Sequence, residues 1–132
     1  MAKSRPGQKQ IVDSTADIEF TFEGTDFRGR AVSLLTERWE SKILQAHPDL
    51  KGYVNAVERT ALDPDIVLEE YNIQDVEIHA SYDRGTGIYS GKYLWVPIRY
   101  KMERGEVLTA YWLRDLKDRK YRKYRISEWR RK

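Results

Sequence analysis

The chain has 132 residues, which leaves room for one domain with a single core, and 40% of them are apolar, including four Trp, nine Tyr and three Phe. Cysteine is absent, which excludes disulfides and thiolate metal sites. No apolar run is long enough to span a membrane, and residues 1–10 lack the apolar segment of a signal peptide, so we expect a cytoplasmic protein.

Charge is distributed unevenly along the chain, although the net charge is only +3. From Arg114 to Lys132 there are ten Lys or Arg residues against three Asp or Glu, a balance of +7, whereas residues 1–113 hold fourteen against eighteen, a balance of −4. A basic segment attracts phosphate or an acidic protein, and a solvated charge run is the alternative. These patterns predict a flexible N-terminus over 1–10, a single domain over 11–116 and a basic C-terminal tail over 117–132.

The first half of the chain predicts a hairpin followed by two helices. Alternating apolar residues indicate strands over 18–22 and 27–35. Thr36 is a candidate N-cap for the first helix, Pro48 ends that helix, and Asp49 is a candidate cap for the second. The apolar stripes of the two helices are Trp39, Ile43 and Ala46, and then Leu50, Tyr53, Val54, Val57 and Ala61.

The second half predicts strands over 66–71, 76–82, 93–102 and 106–113. Pro97 indicates an edge strand or a bulge in the third of these, and Gly105 is expected to supply a positive φ in a turn over 103–105. The predicted fold class is α+β, with N-terminal strands and two helices packed on an antiparallel sheet of about four strands. On the strand over 93–102, alternation places Leu94, Val96, Ile98 and Tyr100 on one face and Trp95, Arg99 and Lys101 on the other.

Several polar residues suit cleavage of RNA without a metal. This reaction needs a group that moves protons, for which histidine is well adapted, and cations that stabilise charge on phosphorus. The candidate catalytic residues are His47, Arg84, Lys92, Thr109 and Tyr111. Each has a structural alternative, since a histidine at a helix end commonly interacts with the helix dipole and strand Lys or Arg side chains are commonly solvated.

Neither a metal site nor a cofactor is predicted, because the chain has no P-loop, no dinucleotide-binding glycine motif and only two histidines, 32 residues apart. The alternative that remains open is a site formed by His79 with Glu77 and Asp83 on one strand face.

Two runs of sequence carry a resemblance to a known group. The first run comprises Arg38-Trp39-Glu40, Ala46-His47-Pro48-Asp49-Leu50 and Leu62-Asp63-Pro64-Asp65, and the second comprises residues 92–98 and 107–111. In this order they resemble small bacterial and phage nuclease domains of the barnase–EndoU–colicin E5/D–RelE-like (BECR) group. The resemblance spans roughly residues 35–117. It implies an RNA endonuclease that leaves a cyclic phosphate, with His47, Lys92, Thr109 and Tyr111 as site residues. Arg84 is added on the basis of its charge and position.

The sequence therefore predicts a metal-independent ribonuclease with RNA as its partner, and the alternatives are a nucleic-acid-binding module without chemistry and a toxin-like protein held by an acidic antitoxin or immunity protein. In the tail, aromatic residues alternate with basic ones at a spacing compatible with a helix, although Trp129 packing back on the sheet is the alternative. The predicted nucleic-acid-binding residues are Arg99, Lys101, Lys120, Arg122, Lys123, Arg125 and Trp129.

Overall fold

The computed structural model describes residues 18–70, 73–83, 85, 87–114 and 124–130. The predicted site residues Arg84, Lys120, Arg122 and Lys123 lie outside these ranges. The strands are β1 Phe20–Thr25, β2 Ala31–Leu35, β3 Ile66–Glu70, β4 Val76–Tyr82, β5 Tyr93–Lys101, β6 Arg104–Val107, β7 Tyr111–Leu113 and β8 Tyr124–Trp129.

The eight strands of the described residues belong to one mixed sheet, with the order β1-β2-β6-β5-β4-β3-β8 and with β7 paired to β5. The pairing of β2 with β6 is parallel, and the other pairings are antiparallel. The α+β class is therefore confirmed, and so is the opening hairpin, but the prediction of an antiparallel sheet of about four strands is wrong, because the sheet is mixed and has more strands. The count was too low because the opening hairpin extends the sheet through β6 and because residues 124–129 form a strand on β3 rather than a helix.

Two short helices follow the hairpin. Helix α1 covers residues 36–46 and consists of an α-helical turn (Thr36–Arg38), a π-helical segment (Trp39–Ile43) and a second α-helical turn (Leu44–Ala46). A 3-10 turn, Pro48–Leu50, leads to helix α2, Val54–Leu62. The cap predictions are wrong, because Leu35 occupies the N-cap position of α1 and Tyr53 that of α2, and neither makes a side-chain capping bond.

Apolar side chains are buried on both faces of the sheet. On the helix face, Leu94, Val96 and Ile98 of β5 pack with Ile43 and Val57 of the helices. On the opposite face, which we call the outer face, a second cluster forms around the fully buried Trp95. The members of this outer cluster are Ile66, Leu68, Ile78, Ala80 and Trp95, with Tyr93, Tyr111, Leu113, Tyr124 and Ile126 packed against them. The predicted alternation along β5 is correct, but it separates two cores rather than a core from solvent.

Pro97 lies in an interior strand, since β5 is flanked by β4 on one side and by β6 and β7 on the other. The Leu108 N–H donates to the Pro97 carbonyl at 2.9 Å, so the side of Pro97 that lacks an N–H faces residues 108–110, where the ladder between β6 and β7 is interrupted. The edge-strand prediction is wrong, and the missing donor coincides with this interruption.

The turn between β5 and β6 is formed by Met102 and Glu103, which have positive φ values of 52° and 66°. Gly105 instead lies within β6, so its predicted role in the turn is wrong. Glycine is required there because a Cβ atom would lie 2.6 Å from Tyr100 Cε1.

The sheet curls until its two ends approach each other. The loop between β1 and β2 carries Arg28, whose guanidinium bonds to Glu77 of β4 and to Glu128 of β8, at the other end of the strand order. Within the described residues, no helix is long and apolar enough to cross a membrane.

Candidate functional site

Helix α1 places His47 at the edge of the sheet. Trp39 and Ile43 are buried and fix the helix on the core, and the His47 N–H still donates to the Ile43 carbonyl at 2.8 Å. Pro48 then ends the helix, so the half-buried imidazole of His47 lies where the chain turns. Its ring centroid is 5.8 Å from that of Tyr111.

Tyr111 is held in place by β7. It pairs with Trp95 of β5, and the two rings stack with centroids 6.1 Å apart. Because Trp95 is fully buried, Tyr111 has a fixed support on one side and His47 on the other. Two of the predicted catalytic residues are therefore in contact, although 64 positions, obtained as 111 minus 47, separate them in the chain.

The segment before Tyr111 runs along α1. Arg38, in the first turn of the helix, donates from Nη1 to the Leu108 carbonyl at 3.3 Å, and Thr109 follows directly, half-buried. Residues 108–111 thus extend from Arg38 at one end to His47 at the other. We call Arg38, His47, Thr109 and Tyr111 the histidine strip.

Arg38 was not among the predicted site residues. Its Nε is buried and makes no hydrogen bond within the described part of the chain, so its guanidinium retains a donor that is not used by the fold. The sequence signal was the position of a cation directly before Trp39, which sets the register of α1 on the core.

Lys92 belongs to a second cluster, on the helix face. Its Nζ lies 5.5 Å from the centroid of the Tyr89 ring, which stacks on Trp112 at 4.5 Å with nearly parallel planes. Tyr53 packs edge-on against both rings. The Tyr111 ring occupies the outer face beside Trp95, whereas Trp112 pairs with Leu94 of the helix face. Lys92 directly precedes Tyr93, which pairs with Leu113, whereas Tyr111 pairs with Trp95, so Lys92 and Tyr111 lie at opposite ends of the β5–β7 pair and on opposite faces.

Asp49 links this aromatic cluster to the turn that carries His47. The pKa of Tyr89 is raised because packing desolvates the phenol and because the neighbouring Asp49 carboxylate interacts with its hydroxyl. Asp49 is two residues from His47 in the same short turn. The turn therefore contacts the aromatic cluster through Asp49, and it contacts Tyr111 through His47.

His79 has a different environment, in a buried network with Asp26, Arg30, Glu77 and Tyr100. Its Nδ1 lies 2.8 Å from the Ala61 carbonyl and its Nε2 lies 3.1 Å from Glu77, so both ring nitrogens have partners. Arg30 bonds to both oxygens of Glu77, at 2.9 and 3.0 Å, and to Asp26 at 3.0 Å. This arrangement has a structural role, because it connects the β1–β2 loop to the centre of the sheet.

The network also shifts the proton affinities of its members. Burial by itself raises the pKa of Asp26, but hydrogen bonds from Tyr100 and from backbone N–H groups, together with the charge of Arg30, leave it below its ordinary value. The pKa of Tyr100 is raised by burial and by the hydrogen bond that its hydroxyl donates to Asp26 at 2.7 Å. No group of three or more His, Asp or Glu side chains among the described residues is arranged to hold a metal ion.

The predicted nucleic-acid-binding residues that the structure describes lie at different places on the sheet. Arg99 and Lys101 are exposed on the outer face of β5, where Arg99 is 3.4 Å from Asp75. Arg125 of β8 pairs with Glu69 on the helix face, at 2.7 Å. Trp129 ends β8 opposite Ile66 and remains 54% exposed.

Comparison of the chain with family models, with curated proteins and with solved structures gave no match. The BECR resemblance therefore stays a prediction.

Proposed function

We propose that the protein is a metal-independent endoribonuclease whose chemistry takes place at the histidine strip. The observation that carries this proposal is the contact between His47 and Tyr111, whose ring centroids are 5.8 Å apart. Imidazole exchanges protons near neutral pH, and a phenol both donates and accepts hydrogen bonds, so the pair supplies the groups that RNA cleavage requires.

The reaction begins with attack of a ribose 2′-oxygen on the adjacent phosphorus. The bond between the 2′-oxygen and phosphorus forms, the bond to the 5′-oxygen breaks, and a cyclic phosphate remains on one product. His47 takes the proton from the 2′-hydroxyl, and the Tyr111 hydroxyl supplies a proton to the departing 5′-oxygen. Thr109 orients a phosphate oxygen, and the positive charge of the Arg38 guanidinium stabilises the negative charge that develops on phosphorus.

Lys92 supplies a further positive charge at the end of the β5–β7 pair away from Tyr111, over the Tyr89 ring. Its position on the helix face suits electrostatic attraction of the RNA backbone better than direct contact with the reacting phosphate. We assign it a supporting role, and Arg84 keeps its proposed role from the sequence alone.

The test is incubation of the purified protein with RNA in EDTA. We expect wild-type cleavage to survive EDTA, and we expect His47→Gln to lower the rate about 10²-fold or more, the scale of a general acid–base group. Tyr111→Phe keeps the ring that packs on Trp95 but removes the hydroxyl. The matched control is Gln45→Ala, at an exposed position two residues earlier, which we expect to cleave like the wild type.

The outcomes separate the mechanism from the function. A folded wild-type protein that leaves RNA intact at large excess would remove the nuclease proposal. Full activity in His47→Gln, together with loss of activity in Tyr111→Phe, would support the nuclease proposal but would assign the proton transfers to the Tyr111 phenol. Circular dichroism of each variant establishes that a loss of rate is not a loss of folding.

The second candidate is a binding module without chemistry. It is favoured by the exposed cations on the outer face of β5, Arg99 and Lys101, which do not belong to the histidine strip. This alternative predicts RNA binding that weakens with salt and no turnover. We further propose the cytoplasm as the compartment and an acidic antitoxin or immunity protein as a partner, because a basic nuclease surface favours an acidic inhibitor.

A further inference from the structure

A groove of about 410 Å³ crosses the outer face of the sheet between β1, β2, β5 and β6. It is distinct from the histidine strip, and the helices lie on the other side of the sheet. Its lining includes Phe20, Leu35, Arg99, Lys101, Arg104 and Glu106.

The register of β5 and β6 brings the cations of this groove together. Lys101 is directly opposite Arg104, and both are exposed, so two positive side chains stand side by side. Arg99 is opposite Glu106, and it also lies 3.4 Å from Asp75. Positive charge is therefore concentrated at the Lys101–Arg104 end, and it is partly balanced around Arg99.

An aromatic ring accompanies these charges. Phe20 pairs with Leu35 across the β1–β2 hairpin and is 38% exposed, and the neighbouring Ile18 is 54% exposed. Leu35 lies two residues beyond Ser33, which is opposite Glu106, so the Phe20 ring is towards the Arg99–Glu106 end of the groove and the two cations are at the other end. A groove with an apolar ring and two cations suits a ligand that has both phosphates and flat bases. Unpaired bases stack on such rings, whereas the bases of a duplex are stacked on one another inside the helix.

The groove lies on the same sheet face as Tyr111. Along β5 the outer-face residues after Trp95, the partner of Tyr111, are Pro97, Arg99 and Lys101. At about 3.3 Å per residue, Arg99 is about 13 Å and Lys101 about 20 Å from Trp95 along the strand. One extended strand of RNA with a phosphate at the histidine strip reaches the groove within a few nucleotides.

We infer that this groove binds the single-stranded part of an RNA substrate that flanks the cleaved phosphate, with Lys101 and Arg104 on phosphates and Phe20 under an unpaired base. The inference rests on the proposed nuclease function, because only a nuclease has a cleaved phosphate that the bound RNA can flank. It assigns the substrate class, single-stranded rather than duplex RNA, and it adds Phe20 and Arg104 to the residues that bind nucleic acid.

The experiment measures binding separately from cleavage. The probe is a short fluorescent single-stranded RNA with 2′-O-methyl groups, which block the attacking oxygen, and the comparison is the same strand annealed to its complement. Lys101→Glu and Arg104→Glu are each tested by anisotropy over a range of salt concentrations. Lys42→Glu, an exposed position on α1, is the control with the same change in charge.

We expect each groove variant to raise the Kd about tenfold and to give a shallower dependence of log Kd on log salt, by about 0.7 for each phosphate that the variant no longer neutralises. Phe20→Ala should also raise the Kd about tenfold, but with an unchanged salt slope, because stacking releases no counterions. The Lys42→Glu protein should bind like the wild type apart from a small effect of net charge.

Two results would overturn the inference. One is binding by Lys101→Glu and Arg104→Glu that matches Lys42→Glu, and the other is equal affinity for the single strand and the duplex. The two proposals fail separately. If the wild type cleaves RNA while the groove variants bind normally, only the groove is wrong. If the groove variants lose binding while the wild type does not cleave, the nuclease is wrong and the groove stands as a binding site.

Discussion

Replacement of Glu77 by glutamine tests whether the buried network holds the curled sheet together. Burial by itself raises the pKa of Glu77, but hydrogen bonds from His79 and Arg30 and the charge of Arg30 outweigh it and lower the pKa from 4.5 to about 2. At about 1.4 kcal/mol for each tenfold change in acid dissociation, this difference corresponds to about 3 kcal/mol of stability. The side chain is only 19% exposed, so solvent screening reduces this figure little.

The sign of the pH dependence follows from the lowered pKa. As pH falls, the unfolded chain takes up a proton at Glu77 before the folded chain does, so the stabilisation is complete above about 4.5 and is lost as pH falls towards 2. We expect Glu77→Gln to lower the free energy of unfolding at neutral pH by about 3 kcal/mol. The difference between wild type and variant should shrink on acidification, because glutamine has no proton to gain.

Urea unfolding at a series of pH values measures both quantities. Glu69→Gln is the matched control, since Glu69 forms an ion pair with Arg125 in which both side chains are well exposed, and such pairs contribute at most about 1 kcal/mol. If Glu77→Gln were no more destabilising than Glu69→Gln, and its stability curve ran parallel to that of the wild type in acid, the network would not be what holds the β1–β2 loop on the sheet.

Three further substitutions and one control substitution have defined outcomes in thermal or urea unfolding. Gly105→Ala should lower the free energy of unfolding by about 1–3 kcal/mol, because the new methyl group would lie 2.6 Å from Tyr100, whereas Gly87→Ala, with no atom within 4 Å, should change it little. Glu103→Gly should raise it by up to about 1 kcal/mol, because a φ of 66° strains a residue with a Cβ. Arg125→Ala should lower it by less than about 1 kcal/mol, because its ion pair is exposed; a larger loss would mean that this pair is part of the core of β8.

The strands with clean alternation could be predicted from the sequence. Residues 76–82 form β4 with the predicted bounds, because apolar and polar side chains alternate along the strand and so lie on opposite faces. β8 was not predicted because the spacing of its aromatic and basic residues is compatible with a helix. The alternation was nevertheless present, since Tyr124 and Ile126 pack on the outer cluster and alternate along the strand with the exposed Arg125 and Ser127. The basic residues of β8 thus made its alternation of buried and exposed side chains hard to recognise in the sequence.

The buried network could not be predicted, because its members come from distant parts of the chain and charged residues are usually exposed. Arg30, which also bonds to Asp26, reaches Glu77 because the sheet curls. The contact between His47 and Tyr111 was expected from the resemblance, but the residues that surround it depend on topology. Arg38 belongs to the histidine strip because residues 108–110, which interrupt the pairing of β6 and β7 with β5, run beside α1. No local feature of the sequence predicts this course of the chain.

The pairing of β8 with β3 has a consequence for synthesis on the ribosome. β3 receives its outer neighbour last, because β4, β5, β6 and β7 all come between the two strands in the chain. Until residues 124–129 emerge, the edge of β3 presents unpaired backbone groups beside the apolar Ile66 and Leu68, an arrangement that recruits strands from other chains. A nascent chain that stalls before Tyr124 is therefore prone to aggregation, and the chains nearest to it are those made from the same messenger RNA.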